Sequence, residues 1–365
     1  MSAAIHVLAR DATLRALLGP LAPYLGRDEV TEVCVNAPGE VFVETEAAWT
    51  RHAAPELTFE RCMTLVNAIA TWSEQEIGPQ RPILSAVLPM GERVQIVLPP
   101  VVDPDTVTLS IRRPASAIRS LADYEASGAF GRYVWHEPRG LSQQSAEMTE
   151  ADRALVSHIQ SRRLADFLEL AVRERRNIAV VGETGSGKTT LMKTLCQSIP
   201  TAERLITIED VRELQLPRHP NRVHLLYSKG EQGVAEVTPS DLIAASMRMK
   251  PDRVLLAELR GAEAFDYLKL LTTGHAGSIT SFHAESCALA VERYVFMAKE
   301  HPQAAIYDPP SLKRLVDLTI DVTLHVEARY VYDGQGEPIG KARYVSAVRF
   351  DPLARSGARP EIAAS

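Results

Sequence analysis

Apolar residues over the first 113 positions fall in short alternating runs, the spacing of half-buried strands. Residues 30–35, 40–44, 84–88, 93–98 and 107–111 read this way. Asn36-Ala37-Pro38-Gly39 and Pro89-Met90-Gly91-Glu92 supply turns between neighbours, and Trp49 closes a third strand of the first meander. Helical spacing occurs at 5–19, ending on Gly19-Pro20, and at 59–73, where Met63, Val66, Ile69 and Ala70 share a face. The pattern predicts a small α+β unit with an antiparallel sheet. A further helix is expected over 120–130. Residues 132–150 are poor in apolar periodicity and rich in Gly, Pro, Ser and Gln, and read as a linker.

From Thr149 the pattern changes. Residues 151–159 and 163–173 have helical spacing, the second with Leu164, Phe167, Leu168 and Ala171 as its buried stripe. The cations Arg162, Arg163, Arg173, Arg175 and Arg176 read as a solvated face. Continuous apolar runs then recur at 178–181, 205–208, 222–227, 254–257 and 278–282, with helices between several of them. Such runs, joined by helical crossovers, are what a mostly parallel sheet covered on both faces requires. Strands are expected at 318–326 and 344–350, around a turn at Asp333-Gly334-Gln335-Gly336. The polar tail from 351 is expected to lack fixed structure. The fold class is therefore α/β, with domains over 1–131 and 151–350, a linker over 132–150 and a tail over 351–365.

Composition narrows the chemistry. With 365 residues, 45% hydrophobic and 24% charged, the chain has the make-up of a globular protein of two domains. Its net charge of −6 and 6% aromatic content offer neither a basic field nor stacking platforms, so nucleic acid is not expected as a direct ligand. Cys34, Cys62, Cys196 and Cys287 are scattered, without a C-x-x-C, which excludes a zinc site or disulfide framework and fits a reducing cytoplasm. The N-terminus lacks the apolar core of a secretory signal. No apolar run approaches the ~18 residues of a membrane span, so any membrane association would be peripheral.

Gly182-Glu183-Thr184-Gly185-Ser186-Gly187-Lys188-Thr189 completes a G-x-x-x-x-G-K-[ST] phosphate loop between an apolar run and a helix. The glycines let successive N–H groups turn toward one point, and the helix beginning near Thr190 adds its positive end. Lys188 is expected to reach the β- and γ-phosphates of ATP, and the Thr189 hydroxyl to bind Mg²⁺.

Hydrolysis also needs a group that orients or deprotonates water. Glu209 ends the apolar run 205–208, at the strand edge where ligands sit in α/β sheets, and is the leading candidate for that base. Glu258 ends the run 254–257 at the place of a Walker-B carboxylate, although Ala257 stands where Asp is usual. It can hold Mg²⁺ through water; alternatively Arg260 and Glu263 form a structural ion pair there. In Thr273-Gly274-His275-Ala276-Gly277-Ser278-Ile279-Thr280-Ser281-Phe282-His283 the two histidines are spaced too far apart for a zinc pair. His283 is expected to sense the γ-phosphate and His275 to stabilise its loop.

Taken together, GETGSGKTT, RLITIEDVRELQL, KPDRVLLAELRGAEAFDYL and TGHAGSITSFHA resemble the Walker A, Asp-box, Walker-B and His-box motifs of the hexameric ATPase of type IV secretion and conjugation, the VirB-eleven family. EVCVNAPGEVFVE, LSAVLPMGERVQIVLPP and LSIRRP are similar to that family's N-terminal domain, so the resemblance spans roughly residues 20–350. It implies a RecA-like ATPase domain, a homo-hexameric ring with ATP between domains, and N-terminal motion that drives pilus biogenesis or substrate transfer. It also implies inner-membrane secretion-complex partners and a cytoplasmic protein, peripheral on that membrane. Arg93 and Arg112 would be N-terminal cations that approach the nucleotide, with Arg113 beside Arg112 as the competitor. Pilus-retraction and type II secretion motors are the nearest alternative, and a nucleic-acid translocase the alternative of a different class.

Overall fold

The computed structural model describes residues 11–114, 118–138, 141, 148–227 and 237–354. They form two compact units, one of residues up to 114 together with 330–341, the other of the remainder.

The first unit is built on six strands: β1 (Val30–Val35), β2 (Glu40–Thr45), β3 (Trp49–Ala53), β4 (Ile83–Val87), β5 (Arg93–Val97) and β6 (Thr108–Arg112). They pair antiparallel in the order β3-β2-β1-β6-β5-β4. Alternate residues such as Val41, Val43, Val94, Ile96, Leu109 and Ile111 point inward. The helix Phe59–Ser73 covers that face with Cys62, Leu65, Val66, Ile69 and Ala70, and Thr58 caps it by accepting from the Arg61 N–H. The inward stripe is thus the expected one extended by Cys62 and Leu65, while Met63 packs at its margin. Of the helix expected over 5–19, residues 11–17 are helical and 1–10 lie outside the described residues.

The second unit carries an eight-stranded sheet: β7 (Val134–Trp135), β8 (Ile178–Gly182), β9 (Leu205–Glu209), β10 (Arg222–Leu226), β11 (Arg253–Leu256), β12 (Ile279–Phe282), β13 (Val322–Tyr332) and β14 (Pro338–Phe350). The order is β10-β9-β11-β12-β8-β13-β14-β7. From β10 through β13 every neighbouring pair is parallel. β8, β9, β11 and β12 are buried at every position, which is why they read as continuous apolar runs. Helices pack on both faces. One core gathers Leu164, Phe167, Leu168, Leu191, Ile178 and Leu324, and the other gathers Val181, Ile208, Leu256, Leu268, Tyr294 and Leu312.

The units divide near 116, not at 131. The stretch read as a linker supplies core to the second unit instead. Tyr133 is 1% exposed and donates its hydroxyl to the Ile159 carbonyl at 2.9 Å, and Trp135 donates to the Phe350 carbonyl at 3.1 Å. Leu141 and Met148 join the same core, whereas 139–140 and 142–147 lie outside the described residues. A segment that fills a core with single, widely spaced apolar residues has no periodicity to announce it. Arg176 likewise leaves the solvated face assigned to it: it is 7% exposed and pairs with buried Asp152 at 2.6 Å. Both final strands are longer than expected, and residues 330–341 around their turn belong to the first unit. Residues 351–354 are described and the rest of the tail is not.

Candidate active site

Because β9, β11, β12 and β8 are adjacent and parallel, their C-terminal ends deliver four loops to one edge. The phosphate loop leaves β8. Gly182 has φ +153°, and a Cβ there would run into the Val326 carbonyl oxygen of neighbouring β13 and come within 2.8 Å of Ser186 Oγ. Gly185 and Gly187 take φ +77° and +98°, the left-handed region that glycine enters without strain. Gly187 begins the helix Lys188–Cys196 without a side-chain cap, leaving the first N–H groups of that helix for an anion. This cradle of turned backbone, too close for any Cβ at Gly182, fits a polyphosphate.

Lys188 is 8% exposed. Its ammonium donates to the Gly182 and Glu183 carbonyls at 2.9 and 2.8 Å and to His283 Nδ1 at 3.3 Å. An ammonium has only donors, so Nδ1 accepts and the ring proton lies on Nε2. Nε2 faces Glu258 Oε1 at 3.2 Å. The other oxygen of Glu258 pairs with Arg260, whose second arm reaches Asp210 Oδ2 at 3.0 Å. One continuous line of contacts therefore runs from the phosphate loop through His283, Glu258 and Arg260 to Asp210.

Local backbone explains why Glu258 projects into this line. The Ala257 N–H donates to Ile208 on β9, and the Leu259 N–H donates to Ser281 on β12. Glu258 lies between two residues stitched to opposite neighbours, so its side chain stands off the strand edge. The Arg260 guanidinium pairs with Glu258 and Asp210 and not with the Glu263 carboxylate, so the alternative ion pair expected there does not form. Glu263 Oε1 accepts instead from the backbone N–H groups of Arg260 and Gly261, at 2.6 and 3.1 Å.

Glu209 sits differently from a base open to water. It is 0% exposed. Oε2 accepts from the Glu213 and Leu214 N–H groups at 2.8 and 2.7 Å; Oε1 accepts from the Thr207 hydroxyl at 2.7 Å and lies 3.3 Å from His224 Nδ1. The carboxyl group thereby folds the chain after β9 into a turn that presents Asp210 to Arg260. His275 contributes its carbonyl, which accepts from Ser278 Oγ at 3.0 Å. Asn177 holds the same loop from below, its Oδ1 accepting from the Gly277 and Ser278 N–H groups.

A chain with this arrangement has close relatives. A family model described as "Type II/IV secretion system protein" matches residues 139–319. The type IV secretion system protein VirB11 of Brucella suis is 44% identical over 345 residues, covering 94% of this chain and 91% of the relative. The chain belongs to the VirB11 family of type IV secretion system ATPases. The crystal structure of the Brucella suis VirB11 ATPase, solved in complex with sulphate, matches with 43% identity and TM-score 0.52, covering 96% and 98% of the two chains. The pilus retraction motor PilT, solved with ADP, matches with 16% identity and TM-score 0.53, covering 90% and 82%; that likeness shows a common fold.

Within this VirB11-family ATPase, Arg93 and Arg112 belong to the first unit and the phosphate loop to the second. The two cations are direct partners across β5 and β6, so they share one face of the N-terminal sheet. Arg113 is committed elsewhere: it donates to the Arg27 carbonyl and, at 3.2 Å, to that of Val30. Arg112 is exposed. Sequence reasoning passed over Asn177, Asp210 as a partner for Arg260, and the Thr207–His224 pair behind Glu209. Only the Asp beside Glu209 carried a local signal; the others depend on which strands become neighbours. Among the described residues no His, Cys, Asp and Glu group forms a metal cage. None of the described helices is long and apolar enough to cross a membrane.

Proposed function

We propose that this ATPase assembles as a homo-hexamer and uses ATP binding and hydrolysis to move its N-terminal units, powering pilus biogenesis and substrate transfer at an inner-membrane secretion complex. The observation that carries the reading is the line Lys188–His283–Glu258–Arg260–Asp210. It connects the phosphate loop to the carboxylates in a single polar network.

In this reading the turned backbone of 182–190 binds the triphosphate, with Lys188 on its β- and γ-oxygens. Thr189 and Glu258 are the residues that would hold Mg²⁺, which would supply neutralising charge at the phosphates. Glu258 orients the attacking water, and Glu209 acts through the turn it locks. His283 lies between the lysine and that carboxylate, so a change at the γ-phosphate that moves Lys188 is felt at Glu258. Arg112, with Arg93 beside it, supplies positive charge from the N-terminal unit, which makes closure of that unit depend on nucleotide. The site faces the cytoplasm, the protein being peripheral on the membrane.

Steady-state phosphate release tests the catalysis. Lys188→Ala and Glu258→Gln should abolish it in folded protein, and wild-type turnover in either would overturn the assignment. Size measurement with and without a non-hydrolysable ATP analogue tests the ring; a monomer under both conditions would remove the role given to Arg112.

A further inference from the structure

Arg343 touches the phosphate loop, and it comes from β14 and not from β8, β9, β11 or β12. Its Nε donates to the Gly185 carbonyl at 3.1 Å, and its Cδ lies 3.3 Å from where a Cβ on Gly187 would stand. The Gly185 carbonyl and the Ser186 N–H belong to one peptide plane. That N–H donates to the Glu183 carbonyl at 3.3 Å, so the plane is held from both ends at the tip of the loop. Gly185 on one side of this peptide, and Gly187 just beyond Ser186, would otherwise leave it free to flip.

Two residues earlier on the same strand, Lys341 pairs with Glu44 of β2 at 2.8 Å and lies 4.9 Å from the Tyr330 ring. Lys341, Glu44 and Tyr330 are all residues of the first unit, whereas Arg343 and the phosphate loop are residues of the second. Side chains at i and i+2 of a strand point to the same side, and the backbone between them is extended and stiff.

We propose that Arg343 is a positioning residue for the phosphate loop, and that β14 relays to it whether Lys341 is engaged with the N-terminal sheet. The inference rests on the reading above, in which N-terminal units move during turnover, and it adds a second route by which that motion reaches the nucleotide. A loop held by Arg343 keeps its N–H groups converged on the phosphates. A loop released by it must pay that ordering on binding.

The test uses the full-length chain, with mant-ADP affinity measured beside steady-state kinetics. A charge-assisted hydrogen bond at a half-buried site predicts about a tenfold rise in KM for ATP and in the mant-ADP Kd for Arg343→Ala, with a smaller change in kcat. Arg343→Lys keeps the charge but not the planar fork, and should not restore affinity; Arg343→Gln, with a donor on a similar stem, should restore part of it. Glu44→Gln should weaken mant-ADP binding about threefold in the wild-type background and have no effect in Arg343→Ala, the signature of one pathway. Wild-type affinity in Arg343→Ala, full rescue by lysine, or additive effects of Glu44→Gln and Arg343→Ala would each overturn the proposal. Absence of ATP turnover in the wild type would instead sink the motor reading, leaving the mant-ADP comparison to judge the loop.

Discussion

Glu209 and Glu258 end adjacent strands of the same sheet, and the structure predicts opposite consequences for the same substitution in each. Glu209 accepts four bonds without exposure to solvent. In Glu209→Ala the Leu214 N–H loses its acceptor in a buried setting and the Glu213 N–H in a part-buried one. An orphaned buried donor costs about 1–3 kcal/mol and a part-buried one less, so the pair costs about 2–4 kcal/mol before any cavity is counted. That is a large part of the 5–15 kcal/mol typical of a whole domain. Glu209→Gln is milder. Its amide oxygen can take both N–H groups while its NH₂ donates to Thr207 Oγ1, whose own proton turns to His224 Nδ1, 2.8 Å away, once that imidazole carries its proton on Nε2 instead. What is lost is the charge on the two bonds, about 1–2 kcal/mol in total.

Glu258 is one-fifth exposed and its partners are Arg260 and His283. Converting it to Gln should cost about 1 kcal/mol or less in stability, because solvent screens the pair. It should lower turnover by about 10²–10⁴-fold, the range for removing a base from the reacting water. Denaturant unfolding, mant-ADP affinity and phosphate release, measured on Glu209→Ala, Glu209→Gln and Glu258→Gln, separate the two roles. Glu209→Ala should be strongly destabilised, Glu209→Gln should keep turnover within about tenfold of wild type, and Glu258→Gln should be stable and inactive. A Glu209→Gln protein that matches wild type in stability and nucleotide affinity but not in turnover would refute the reasoning, since it would place Glu209 at the chemistry itself.

Other outcomes follow from the same geometry. Gly182→Ala forces a Cβ against the β13 backbone at a φ that side chains avoid, which should cost at least about 2 kcal/mol and weaken nucleotide binding, read by thermal unfolding and mant-ADP titration. Burial on β13 pulls the His325 imidazole below its ordinary 6.5, with the nearby Glu327 acting in the opposite direction. Its contribution to stability is therefore complete above pH 6.5 and is lost as pH falls through the lowered value, so urea midpoints at pH 7.5 and 5.5 should differ more for wild type than for His325→Gln. Burial pushes the thiols of Cys34 and Cys287 up to about 11 and that of Cys196 up to about 12, so alkylation at pH 8 should be slow until denaturant is added. Asn177→Ala leaves the Gly277 and Ser278 N–H groups without their acceptor and should destabilise the chain by about 2 kcal/mol or more in the same unfolding assay.

Much of this was legible because the signals are local. A parallel strand buried on both faces is dominated by apolar residues, so β8, β9, β11 and β12 announce themselves despite the buried polar Thr207, Arg253, Thr280 and Ser281, and each leads the chain to the same sheet edge. The motifs at 182–190, 209, 258 and 283 are thereby placed by strand position alone. Contacts between loops left no such trace. Nothing near Arg260 in sequence says that its partner is Asp210 and not Glu263, since the choice depends on β9 lying next to β11. The same holds for Glu209, whose acidity and strand-end position suggest chemistry, while its acceptors are filled by backbone five residues on and by a histidine from β10. The 132–150 stretch misled for a related reason: Tyr133 and Trp135 enter the core singly, without a period.

The arrangement also explains why a phosphate loop alone makes only a binding site. Lys188 is held by carbonyls of its own loop and meets the side chain of His283, which follows β12. That imidazole has one nitrogen toward the lysine and one toward Glu258, so it is the narrowest point of the line between nucleotide and carboxylate. Replacing it by Asn would keep an amide that can satisfy either neighbour but is too short to span both. Nucleotide affinity and turnover should then come apart: His283→Asn keeps mant-ADP binding close to wild type while phosphate release falls. A parallel loss of both would mean that His283 supports the loop rather than joining it to Glu258.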